Sequence, residues 1–386
     1  MQLAEKLSPA NKPGQHANSG LPRWLGFVGV LVFGLASIGL PRSSNFPLEL
    51  IPGRWPGINL VLVIGIALGV GLIFTLTFSA IGAVIRRPAA DYVIASRLIH
   101  PAPAFASSFT FLVTLSLFAG SIAGSIAKQF LPNLFKTIGT VFSSQDILLL
   151  ADSAASTQIA ILVGTAAIVL SFVLLAFPPK TVLWLMRAGV IFALICWIIL
   201  LLQLGFPQEN TFTIGYERVF GSGTYLQHIE LAYQYGLATN PPGLDFVILI
   251  GLFCGFYLFF GAALPMEVAG EVKQPEKKLL PASVCALLMA GGLILATIGL
   301  LGKVVPAQFI SAQSYLTQQQ IEIAGLSLSW LPFYAAISKP VLLLVVVVGI
   351  CWILLLFLLV QAFMIVISRI VLAWAKDRVI PEKLAY

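Results

Sequence analysis

The chain has 386 residues, 59% of them hydrophobic and only 10% charged, with a formal net charge of +7 and a mean hydropathy of +0.98. A soluble domain carries about 25% charged residues, so this composition excludes a water-soluble fold, and the surplus apolar surface must face lipid. The apolar stretches are continuous rather than alternating, which excludes a membrane β-barrel and leaves an all-α integral membrane protein.

In chain order, residues 1–23 are polar and contain Pro, Gly and Asn. They lack the basic, apolar and small-residue order of a signal peptide and read as a disordered cytoplasmic tail. Eight apolar runs follow, at 24–41, 58–85, 105–127, 157–177, 181–205, 244–266, 282–302 and 340–368. Each reaches the roughly 17 residues that a helix needs to cross the hydrocarbon core. With the N-terminus inside, the inner segments hold fifteen of the 22 Lys and Arg residues, which satisfies the positive-inside rule. Both termini are therefore expected in the cytoplasm, with the protein in the plasma membrane. The net positive charge is then a consequence of topology, and nucleic acid is not implied.

The first run reads WLGFVGVLVFGLASIGLPRSSNF, with Gly34, Ser37, Gly39 and Pro41 in a short apolar stretch. Small residues recur four apart at Gly65/Gly69, Gly120/Gly124 and Gly251/Gly255, the spacing that lets helices approach closely in lipid. The three-residue connection PPK, 178–180, predicts that spans four and five are antiparallel neighbours. Arg187 is the one charge well inside a run; it is either a fixed cation or a side chain snorkelling to the inner interface. The outer loops 206–243 and 303–336 are long, and 223–236 reads either as a short surface helix or as a set of interfacial aromatic anchors.

Span six, LDFVILIGLFCGFYLFFGAALPMEVAGEVKQPEKKLLP, places Gly261 and Pro265 deep in an apolar run. Proline removes a backbone donor and glycine loosens the helix, so a break is expected after the aromatics 256–260. Glu267 follows near the inner edge and reads first as a solvated helix end, with pairing to Lys273, a bond to unwound backbone and a gating role as alternatives. Two short, interrupted spans, first and sixth, point to a transporter built from inverted repeats, whose half-helix ends offer amides to an anion and carbonyls to a cation. The four cysteines lie inside spans without a CxxC or Cys/His cluster, so neither disulfide nor metal site is expected. The three histidines lie in tail or loops, and no nucleophile–base pair falls within the spans, so no enzyme and no cofactor is expected.

Three segments together resemble the amino acid–polyamine–organocation superfamily of permeases. RPAADYVIASRLIHPAPAF, 87–105, resembles the P-x-G-G-D-Y-x-x-x-S-R connection, with Ala89 and Ala90 in place of the glycines. GEVKQPEKKLLP, 270–281, is similar to the E-V-K-x-P signature, and SRIVLAWAKDRVIPEKLA, 368–385, to the segment after span eight. Two departures stand out: GLAS replaces a small triplet in span one, and GAA replaces G-F-E in span six.

The resemblance implies a fold in which spans one to five and six to ten form inverted repeats. On this chain, 24–205 is then the first repeat, 206–243 an extracellular loop and 244–386 a partial second repeat, with the chain reading as a member truncated after the eighth span. It further implies substrate contacts at Gly34, Leu35, Ala36 and Ser37 and at Phe259, Phe260, Gly261, Ala262 and Ala263, with Tyr257 or Phe260 as occluding aromatics. Arg187 and Glu267 become candidates for coupling or gating, driven by a proton or sodium gradient. The implied function is secondary transport of an amino acid or related amine by alternating access. A non-transporting sensor or assembly subunit is the alternative, and self-association stays open.

Overall fold

The computed structural model describes residues 22–205, 211–238, 240–321, 330–381 and 383. The expected tail, 1–23, lies almost wholly outside them. The fold is all-helical, with no strand among the described residues beyond one isolated bridge between Leu25 and Val272.

Eight helical segments are long and apolar enough to cross a membrane: Phe27–Arg54, Leu60–Ile85, Pro101–Val141, Thr157–Leu175, Pro179–Gly205, Leu244–Glu271, Pro275–Val304 and Leu342–Lys376. They coincide in order and number with the eight apolar runs. The first and third are longer than the sequence pattern suggests. Span three continues through a π-turn, Ile126–Phe130, before its last helix Leu131–Val141. Span one continues past its apolar part through a second helix of 15 residues, Leu40–Arg54.

That second half of span one carries Arg42, Ser43, Ser44, Asn45 and Glu49, together with Pro47 and Pro52. It stays helical because protein, not lipid, surrounds it. The Asn45 side-chain oxygen accepts from the Leu331 amide, at 3.3 Å. Near its end the Ser314 hydroxyl is inserted into the backbone ladder: it accepts from Gly53 N at 2.9 Å and donates to Glu49 O at 2.6 Å. A side chain wedged into the ladder in this way satisfies both of the groups it separates.

Spans two, six and seven pack closely on one another, with span one against seven and six. Spans three, four, five and eight form a second group centred on eight. Spans four and five are joined by the short PPK connection but scarcely touch, which corrects the expectation of antiparallel neighbours. Span four instead packs on three and eight. Of the three glycine pairs, only Gly251 and Gly255 lie at a close crossing. A methyl group at Gly255 would sit 2.5 Å from Val70 Cβ on span two, whereas methyls at Gly65, Gly69, Gly120 and Gly124 meet nothing within 4 Å.

The face opposite the two ends of the described chain is capped by helices Thr211–Phe220, Thr224–Gln234, Ala307–Gln318 and Leu331–Ser338. The stretch 223–236 is thus a helix with a packed face. Tyr225 and His228 stack on Phe309 at 5.4 and 4.7 Å, while Tyr233 and Tyr235 stay exposed. His228 is only 3% exposed, its Nδ1 lies 3.3 Å from the Tyr216 hydroxyl and its Nε2 has no partner. Burial alone lowers its pKa to about 4 from 6.5. The folded cap therefore holds the neutral ring, while the unfolded chain binds the proton more readily.

Two outcomes are expected. The thermal midpoint of the purified protein falls as pH drops from 6.5 towards about 4, because the native state excludes the proton that the unfolded state takes up. The variant His228→Phe flattens that part of the profile. Separately, Gly255→Leu lowers stability by about 1–3 kcal/mol through overpacking. Gly69→Ala, at an open helical position, leaves the melting curve unchanged or slightly improved.

Candidate functional site

Two helices break against each other in the middle of the fold. Span one is helical to Ile38, turns at Gly39 with φ 64° and ψ 63°, and restarts at Leu40. Glycine is required there: the left-handed turn disfavours a side chain, and a methyl group would strike Leu359 of span eight. Span six is α-helical to Phe259 and then runs as a 3₁₀-helix over Phe260–Glu271. Twelve residues is long for this form, whose runs rarely exceed 3–4 residues, and such stretches mark hinges.

The two interruptions touch. A methyl group at Gly261 would collide with the carbonyl of Ser37, so the backbones meet with no side chain between them. The Ser43 hydroxyl lies 2.9 Å from Ile38 O and 3.0 Å from Leu258 O, one freed carbonyl from each span. Backbone polar groups at this depth find no water in lipid, so this hydroxyl stitches the two breaks together.

A cavity of about 220 Å³ opens at the junction, lined by Ser37, Arg42, Tyr257, Phe260 and Gly261, with Leu115 and Phe118 of span three and Leu359 and Phe363 of span eight. Arg42 is its cation. The guanidinium donates through Nε and Nη2 to the Tyr257 hydroxyl, at 3.1 and 3.0 Å, and lies 5.8 Å from the Phe46 ring centre. Below it, a second cavity of about 470 Å³ shares Leu115, Phe118, Phe256 and Phe260 with the first. Phe260 stands between the two, edge-on to Phe111 at 5.9 Å.

The expected site residues divide on this geometry. Ser37, Tyr257, Phe260 and Gly261 line the central cavity, and Ala263 and Glu267 line the lower one. Glu267 is buried, which overturns the expectation of a solvated helix end. Gly34, Leu35 and Ala36 sit inside unbroken helix, because the break falls at Gly39, where the left-handed turn is made. Gly34 faces Ala286 and Pro265, a packing contact. Phe259 is fully buried against Gly71 of span two, and Ala262 is buried outside both linings. Arg187 lines neither cavity; its guanidinium lies near Gly29 at the start of span one, with Nε unpartnered. Arg42 and Ser43 are absent from the expected set, since their polarity reads as a loop. The alternation of Pro41, Pro47 and Pro52 with buried apolar residues was the signal available, and it is weak.

At the face that carries both ends of the described chain, the three motif segments interlock. Glu271 accepts from Trp24 Nε1 at 2.7 Å and from Arg369 Nε at 2.5 Å. The amides of Trp24 and Leu25 both donate to Glu271 O at 3.0 Å, and Lys273 N returns a bond to Leu25 O at 2.8 Å. Arg97 pairs with Asp377 at 3.4 Å, and Ala89 N donates to Glu267 O at 3.0 Å. Among the described residues, no group of three His, Cys, Asp or Glu is placed to hold a metal.

A family model described as amino acid permease matches residues 25–386. No curated protein matches the chain.

Replacing Gly261 with Ala is expected to force the two interrupted backbones apart. The protein should lose at least tenfold in ligand-dependent activity and also melt at a lower temperature than the parent, read by transport assay and thermal unfolding side by side.

Proposed function

The chain belongs to the amino acid permease family, and from that premise we propose that it is a secondary transporter working by alternating access. Family membership makes it a multi-pass membrane transporter of amino acids or related compounds rather than an enzyme. The observation that carries the finer reading is the cavity at the paired breaks, lined by Ser37 and Ile38 just before the Gly39 turn and by Phe260 and Gly261 of the 3₁₀ stretch of span six. Its volume of about 220 Å³ suits a small solute.

The chemistry of the lining supports an α-amino acid or a close relative. The substrate carboxylate is held at the start of Leu40–Arg54, where the positive end of the helix dipole points into the break and Arg42 adds a full charge. The amine is held by the carbonyls freed at the same breaks, around Ile38 and Leu258, which Ser43 otherwise occupies. Tyr257 and Phe260 close over the solute from span six.

The packing supports rocking of spans one, two, six and seven against three, four and eight, since contacts within each group exceed those between them. The latch of Trp24, Glu271 and Arg369 joins the two groups on one face, so its release is the opening step towards that face. By the distribution of Lys and Arg this is the cytoplasmic face of the plasma membrane. Each group draws on both repeats, one and two with six and seven, three and four with eight, and the breaks fall at the first span of each repeat, the arrangement in which one site is exposed alternately to each side.

The test is uptake of a panel of radiolabelled proteinogenic amino acids into proteoliposomes. Saturable uptake of at least one is expected. Arg42→Gln should raise KM for that amino acid by about tenfold or more, the loss of one charge-assisted hydrogen bond of about 1.5–3 kcal/mol. Ligand-induced thermal stabilisation without flux across the whole panel would instead identify a non-transporting sensor.

A further inference from the structure

The lower cavity holds two acids that the central site does not use. Glu267 lies on the 3₁₀ stretch six residues beyond Gly261, is 0% exposed, and neither of its carboxyl oxygens has a hydrogen-bond partner. Asp91 enters the same cavity from the short helix Ala90–Leu98. The two carboxyl groups lie near enough to act on each other as charges, and as hydrogen-bond partners once one of them carries a proton. The rest of the lining is largely apolar, including Phe78, Ile81, Phe111, Leu264 and Met266.

No cation is committed to this pair among the described residues. Arg86, at the end of span two, pairs with Glu276 of span seven at 3.6 Å. Arg369 of span eight takes Glu271, and Arg97 takes Asp377, towards which the Tyr92 hydroxyl also points. Arg87 faces Lys376. Asp91 accepts from the Tyr92 amide, at 2.5 Å, and burial holds its carboxyl above the usual carboxylate range. Two neighbouring carboxylates in apolar surroundings cannot both ionise without a partner.

We propose that Asp91 and Glu267 together bind one proton that is carried with the substrate. The proposal rests on the alternating-access reading above. The proton completes the pair: the protonated oxygen of one acid donates to the carboxylate of the other, and on release the O–H bond breaks and the proton passes to water in the lower cavity. A sodium ion fits this lining less well, because it needs several oxygen ligands. The Ser108 hydroxyl already accepts from Trp374 Nε1 at 3.1 Å. The shared wall of Phe256 and Phe260 places the pair at the exit from the central cavity, where opening of that wall exposes acid and solute together.

The experiment uses the full chain in sodium-free proteoliposomes with a one-unit inward proton gradient and the radiolabelled amino acid panel. One proton per neutral amino acid sustains about tenfold accumulation, since one pH unit is worth about 1.36 kcal/mol. In Glu267→Gln and in Asp91→Asn, the accumulation ratio should collapse to about onefold while label still equilibrates across the vesicle. Tenfold accumulation retained in both variants, or accumulation driven by a sodium gradient and not by protons, overturns the proposal. Infrared titration of the purified protein provides a readout that needs no transport: a protonated carboxyl band is expected at near-neutral pH and should be lost in Glu267→Gln. Absence of that band overturns the proton site, whereas its presence in a protein that carries no amino acid overturns the transport reading and leaves the site standing.

Discussion

Everything in the centre of this protein follows from a backbone that cannot leave its polar groups unpaired inside lipid. Span one turns at Gly39 and span six changes to a 3₁₀-helix at Phe260, which frees carbonyls and amides far from water. The two defects solve each other's problem. Gly261 lets the backbones meet at the Ser37 carbonyl, and the Ser43 hydroxyl bridges Ile38 and Leu258. What the two breaks leave open is the cavity lined by Ser37, Arg42, Tyr257 and Gly261, at which solute binding is proposed above.

The same constraint explains why polar residues of span one are tolerated at all. Arg42, Ser43, Asn45 and Glu49 lie on a helix that touches the helical cap and span six, so each meets a protein partner before it meets lipid. The cap is thereby more than a lid: Ser314 and Gln318 supply the hydrogen bonds that keep Leu40–Arg54 helical past two prolines. The aromatic cluster of Phe212, Tyr216, Tyr225, His228 and Phe309 holds that cap in register.

On the opposite face, the three segments by which the chain resembles its family serve one purpose. Glu271 belongs to the second segment and Arg369 to the third; Arg97 belongs to the first and Asp377 to the third. Each ion pair joins segments far apart in sequence, and Gly270 lies against Pro88 with no room for a side chain. The motif residues are thus the two halves of contacts. Glu267 is the exception, a buried acid whose oxygens are left free beside a cavity.

The eight spans, their order and the existence of breaks in the first and sixth were legible in the sequence, because length, apolar composition and the chemistry of Gly and Pro are local properties. The position of the first break was not: Gly34–Ser37 and Gly39 read alike in a row of small residues, and only packing against Leu359 and Gly261 selects Gly39. Arg42 was hidden for a related reason, since a polar helix shielded by protein looks like a loop when lipid is assumed around it. Spans four and five show the same limit, as a short connection sets how near two ends lie but not which faces pack. Composition alone determined that this chain lives in a bilayer as a bundle of helices, since so few charges cannot cover it in water. Which polar atoms face one another across that bundle was decided by the tertiary structure, because hydrogen bonds between distant segments depend on distances that no stretch of sequence contains.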